Sequence, residues 1–156
     1  MKKHLLFLAT LVLGLGQLFA DNVTFSLAEL RATLPSSNTK VAVPYTWKVS
    51  PYHVTATIAK QDGTEGVLSI AQTTNFKNYT ITVAVAGEGK LNKVTFSGTT
   101  SKFGNATASI GTYASGTWTA EEGTSTNSVT FTTTNDFPIT KFVVDYTPDS
   151  GYTPDV

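Results

Sequence analysis

No cysteine occurs in the 156 residues, which excludes disulfide staples, thiolate nucleophiles and thiolate metal sites. Arginine is almost as scarce: Arg31 is the only one. Beyond residue 20 the chain carries nine Lys+Arg against eleven Asp+Glu, a formal charge of −2. With neither a basic block nor an arginine cluster it has no electrostatic grip on phosphate, which sets nucleic acid aside as a partner. Histidine is limited to His4 and His53, and no G-x-S-x-G motif accompanies them, so Ser-His hydrolysis is not signalled. Long apolar runs are missing as well, with one exception at the start of the chain.

That exception is residues 1–20. Lys2 and Lys3 precede an apolar stretch from Leu5 to Leu18, and Ala20 supplies a small residue before Asp21. This is the layout of a secretory signal peptide, and the run is shorter than the roughly 18–20 residues that span a bilayer. Residues 21–156 are therefore expected to be exported with no transmembrane segment, to a periplasm, a cell surface or the extracellular medium. A chain of this length buries on the order of two-thirds of its unfolded surface and is stable without cross-links. Export without cysteine points to a bacterial compartment rather than to a disulfide-stapled secretory domain.

What the chain does have is threonine, about a fifth of the residues after the leader. A β-branched side chain with a hydroxyl suits the solvated face of a pleated sheet. Period-two alternation marks strands at Tyr52–Ile58, Tyr79–Val85, Val94–Phe96, Val129–Phe131 and Phe142–Tyr146, with weaker ones at 22–26, 40–43, 67–71, 106–110 and 116–120. Residues 78–97 read as a hairpin about the Gly87–Lys90 turn. One helical signal stands apart: Ser26 with Glu29 forms a capping-box pattern, and Leu27, Leu30 and Leu34 share a face, predicting a short helix near 27–33. The expected fold is an all-β antiparallel sandwich, jelly-roll or Ig-like, with eight to ten short strands and at most one short helix. An outer-membrane barrel would need strands of about 9–11 residues with an apolar outer band, and most runs here are shorter and outwardly threonine. The domain is expected over 21–147, followed by a proline-containing tail, 148–156. That tail repeats the Tyr-Thr-Pro-Asp of 146–149 at 152–155. It reads as a stiff tail or linker, or as a segment that docks on a partner.

Candidate chemistry is sparse. His53 falls on the threonine side of its strand and reads as solvated. Glu121 and Glu122 are adjacent, which sends them to opposite faces, and Asp145 alternates with no second acid, so a two-carboxylate glycosidase is not assembled by one strand. Asp62 and Glu65 flank Gly63 and could give oxygen ligands to calcium, although Asp-Gly is first a turn signal. No other cofactor is implied. Three Asn-Xaa-Thr triplets, at Asn22, Asn78 and Asn105, match the N-glycosylation pattern, which arises readily by chance in a threonine-rich chain. Trp118, between threonines, is expected in the core. Tyr45, Trp47 and Tyr52 are the candidate ligand-binding residues. They could stack on sugar rings as a platform, or they could belong to the core.

The segments Tyr79–Val83, Gly89–Gly98, Gly111–Tyr113, Gly116–Trp118, Ser128–Thr132 and Ile139–Tyr146 follow one another in an order that resembles β-sandwich modules of secreted and surface proteins in Bacteroides- and Prevotella-like bacteria. The resemblance covers roughly the half from Asn78 onward and consists of packing and turn residues. It implies a sandwich fold and a surface habitat, and it transfers no catalytic or binding residue. Ala120-Glu121-Glu122 stands where many such modules have a glycine after the tryptophan, and the tail does not resemble a sorting segment. The expected function is an exported, non-enzymatic binding or display module for glycans or cell-surface partners. A structural subunit pairing through an edge strand or the tail, and a carbohydrate-active hydrolase, are the alternatives.

Overall fold

The structure, a computed structural model, describes residues 20–154. The leader, apart from Ala20, and the last two tail residues lie outside the described residues. Among the described residues thirteen strands form: β1 (Asp21–Ser26), β2 (Lys40–Val43), β3 (Tyr45–Lys48), β4 (Val54–Lys60), β5 (Gly66–Ser69), β6 (Thr74–Asn75), β7 (Tyr79–Val85), β8 (Lys90–Gly98), β9 (Ala106–Ala108), β10 (Thr112–Ala114), β11 (Thr117–Thr119), β12 (Ser128–Thr133) and β13 (Pro138–Thr147). That exceeds the expected eight to ten: each expected run has its strand, and β3, β6 and β10, of two to four residues, are additional because they are too short to show a period of two. Helix α1 (Leu27–Thr33) forms where the capping signal placed it, with Ser26 Oγ accepting from the Glu29 N–H at 3.4 Å. The 3-10 helix Thr100–Asn105 is a second helical piece where at most one was expected; its i→i+3 turns leave no 3.6-residue period in the sequence to announce it.

All pairings are antiparallel. One sheet runs β1-β13-β8-β11-β10, with β6 added against β13. The other runs β3-β4-β7-β12-β9, and β2-β5 make a separate two-stranded ribbon. The chain changes sheet from β7 to β8, β8 to β9, β11 to β12 and β12 to β13, while the first strand pairs with the last. Of the two expected windings this is the jelly roll.

The expected hairpin at 78–97 does not form, because β7 and β8 belong to opposite sheets. Alternation is identical for a hairpin and for a chain that arches over the end of a sandwich, so the pattern could not distinguish them. Ile81 and Val83 enter the core from one sheet, Val94 and Phe96 from the other, all with 3% exposure or less. Phe96 is the hub between the layers, with ring centroids 5.0 Å from Phe131, 5.3 Å from Phe137 and 5.5 Å from Phe142. Thr133, wholly buried, donates its hydroxyl to the Phe76 carbonyl and accepts from the Tyr79 N–H, tying the 76–79 turn to β12.

Candidate functional site

The sequence candidates do not converge. Trp47 lies on edge strand β3 opposite Ala56, and its side chain turns inward to 4% exposure. Its indole meets the edges of Phe25 at 5.2 Å and Phe142 at 5.8 Å, which closes the core and leaves no open ring face for a sugar. Tyr45, two residues earlier, is half-buried against the same core. Tyr52 leaves the strand altogether: β4 begins at Val54, and Tyr52 sits in a turn at φ 69°, its N–H bonded to the Val49 carbonyl at 2.8 Å. The three aromatics thus form no flat platform. What Tyr45 and Trp47 do line is a groove of about 270 Å³ between α1 and β3, with Ser26, Glu29, Leu30, Thr33, Lys48 and Val49.

Asp62 acts in a turn. Its Oδ1 accepts from the Thr64 N–H at 3.0 Å and the Thr64 hydroxyl at 2.7 Å, with Gly63 at φ 74° between them. Those bonds from Thr64 hold its carboxyl below the usual carboxylate range. Glu65 is exposed beyond the turn, and among the described residues no three His, Asp or Glu side chains are grouped as a metal would need. Glu121 and Glu122 are both exposed in a turn whose Glu121 carbonyl accepts from Thr124.

His53 corrects the sequence reading. It does not face solvent on a strand; it lies half-buried between Tyr146, at 6.2 Å, and Tyr152 of the tail, at 5.9 Å. The tail accordingly folds back on the domain rather than trailing from it. Asp149 anchors it, accepting from the Glu88 N–H at 2.9 Å and the Gly151 N–H at 2.8 Å. Position 87 must leave room for this carboxylate, and Gly87 does so: a Cβ there would collide with an Asp149 oxygen. The bond from Glu88, then that from Gly151, lowers the Asp149 pKa. A carboxyl depressed on folding contributes stability above its unfolded value, and that contribution is lost as pH falls through the folded value. Amide exchange at Glu88 and Gly151, normalised for intrinsic rate, should therefore accelerate below about pH 4. It should already be fast at neutral pH in Asp149→Ala; protection unchanged in that variant would refute the anchor.

Neither a family model, nor a curated protein, nor a solved structure matches this chain. Its own surfaces are left to speak for function, and two differ from an ordinary solvated exterior. The first is the edge of β3. This strand pairs with β4 alone, and among the described residues the outward side of Tyr45–Lys48 makes no other backbone bond. The second is the outer face of the sheet that β3 borders. Register aligns Thr46, Thr57, Thr82 and Thr130 across four adjacent strands. Ser109 continues the row, its N–H donating to the Thr130 carbonyl at 2.9 Å and its Oγ accepting from the Thr130 N–H at 3.0 Å. A parallel row holds Ala59, Thr80, Thr132 and Thr107, and a third holds Lys48, Thr55, Ala84 and Ser128.

Lys48, at the rim, is the only charged residue in these three rows. The other sheet differs: its outward row Asn22, Asp145, Lys93, Thr119 carries an ion pair, Lys93 Nζ to Asp145 at 3.3 Å. Sequence reasoning placed threonines outward but missed their alignment, because register is a property of pairing. The available signal was the triplet repeated on three strands: Thr55-Ala-Thr57, Thr80-Ile-Thr82 and Thr130-Phe-Thr132.

Proposed function

We propose that the protein is an exported, non-enzymatic binding module that holds its partner on an open sheet face. The observation that carries this reading is the hydroxyl-covered exterior of the β3-β4-β7-β12-β9 sheet, whose only charge is Lys48 at the rim. An idle solvated face is ordinarily studded with charges of both signs. The leader and the resemblance to bacterial surface modules support export.

The hydrolase alternative has less support. A glycosidase acid needs a raised pKa, whereas Asp62, Asp136 and Asp149 are turn or loop carboxylates pushed down by hydrogen bonds from Thr64, Asn75 and Glu88. The accessory-subunit alternative has one specific observation in its favour, the unpaired β3 edge beside the α1 groove, which is where an added strand would dock.

The test is a panel of glycans on which binding and the release of new reducing ends are recorded together. Binding with no reducing ends above the no-protein control is the expected result. Release that scales with protein concentration would make the protein a hydrolase, and a blank for both on every glycan would overturn the reading.

A further inference from the structure

We infer that the threonine face binds a single chain of neutral polysaccharide, laid across the strands along the row from Thr46 to Ser109; this rests on the binding-module reading. Charge decides the ligand class first. The three rows hold no carboxylate and one peripheral lysine, so a polyanion finds a single counter-charge at the rim and a polycation none. A neutral, heavily hydroxylated polymer meets its complement.

The second argument is chemical. Each threonine offers a hydroxyl that both donates and accepts, and a methyl group beside it. A pyranose ring likewise alternates hydroxyls with C–H surface. Neighbours within a row lie at the strand spacing of about 4.8 Å, and successive rows, two residues apart along each strand, lie about 6.7 Å apart, distances on the scale of one sugar ring. The hydroxyls are partly organised already: Thr82 Oγ1 and Thr130 Oγ1 lie 2.9 Å apart, so one donates to the other and its partner's proton remains free for a ligand.

The third argument selects a chain over a crystalline surface. Adjacent strands in a sheet rotate by roughly 20–25°, so a row of five hydroxyls curves. A flat lattice would touch only part of it, whereas a flexible chain can follow. Where β4 gives way to the Gln61–Gly63 turn and β7 begins, the face ends at a depression of about 560 Å³ lined by Lys60, Gln61, Asp62 and Asn78. Its amide side chains suit the hydroxyls of further sugar units.

The experiment is affinity electrophoresis of the protein through native gels containing a soluble β-glucan, an α-glucan, a mannan or a polyuronate. Thr57→Lys and Thr82→Lys place a charge in the middle of the row at half-buried, outward positions; Thr95→Lys does the same on the opposite sheet. Retardation by at least one neutral polymer is expected. Its Kd should rise about tenfold or more in Thr57→Lys and Thr82→Lys and stay within about twofold in Thr95→Lys. Thr82→Val, which keeps the methyl and loses the hydroxyl, should weaken binding without altering the circular dichroism spectrum. Wild-type Kd in the folded Thr57→Lys and Thr82→Lys variants would remove this face, and with it the open-face site of the proposed function, leaving a glycan-binding module whose site lies elsewhere. Stronger retardation by the polyuronate than by every neutral polymer would overturn the neutral class. No retardation of the wild type by any polymer would overturn both.

Discussion

Trp118→Ala should lower the unfolding free energy by about 3–5 kcal/mol, the cost of deleting a fully buried large aromatic. Trp118 has 0% exposure, pairs with Val94 and Tyr113 in its own sheet, and reaches across the core to Phe131 at 6.3 Å. It also stitches a loop, because its Nε1–H donates to the Ile110 carbonyl at 2.6 Å. Truncation thus opens a cavity between the sheets and frees the β9–β10 connection at the same time. For a domain of this size the loss should appear as a fall in Tm on the order of 10–20 °C. A fall of only a few degrees would mean that the indole does not span the layers.

Gly111→Ala should produce a comparable loss, about 2–4 kcal/mol, through backbone strain plus overpacking. Gly111 has φ 75°, and a Cβ built there would lie 2.5 Å from Trp118 Nε1 and 2.6 Å from the Thr119 carbonyl oxygen. The second contact is with backbone and has no rotamer escape. Because both residues meet at one point, the two substitutions should be less than additive when combined. Denaturant unfolding of the two single variants and the double variant measures this directly. Full additivity would show that the glycine and the indole are independent.

How much of this was legible beforehand follows from which signals are local. α1 emerged within its expected bounds because Ser26, Glu29 and the leucine face are near neighbours in sequence. β7 matched its alternation from Tyr79 to Val85, and the jelly-roll core drew on the same apolar positions that the strand pattern marked. Partners across the chain were not legible. Alternation places Val94 and Phe96 in a strand without naming the sheet, so a crossing was read as a hairpin. Nothing adjacent to His53 in sequence reveals that Tyr146 and Tyr152 will enclose it, nor does the tail reveal that Asp149 will find the Glu88 amide. Trp47 was ambiguous because one face of a strand near a proline can equally be core or exterior; Phe25 and Phe142 resolve it to core. The candidate site was half visible. The composition announced hydroxylated faces, but only the pairing of β3, β4, β7, β12 and β9 assembles thirteen outward positions into aligned rows with a single rim charge.

The binding face can be watched without any substitution. In a protein carrying isotope-labelled threonine methyl groups, titration with the neutral polysaccharide that retards it most should shift the methyl signals of Thr57, Thr82, Thr130 and Thr132. The signals of Thr95, Thr117 and Thr119, outward on the opposite sheet, should stay where they are. Shifts confined to that opposite sheet, or to residues lining the α1–β3 groove, would contradict the account.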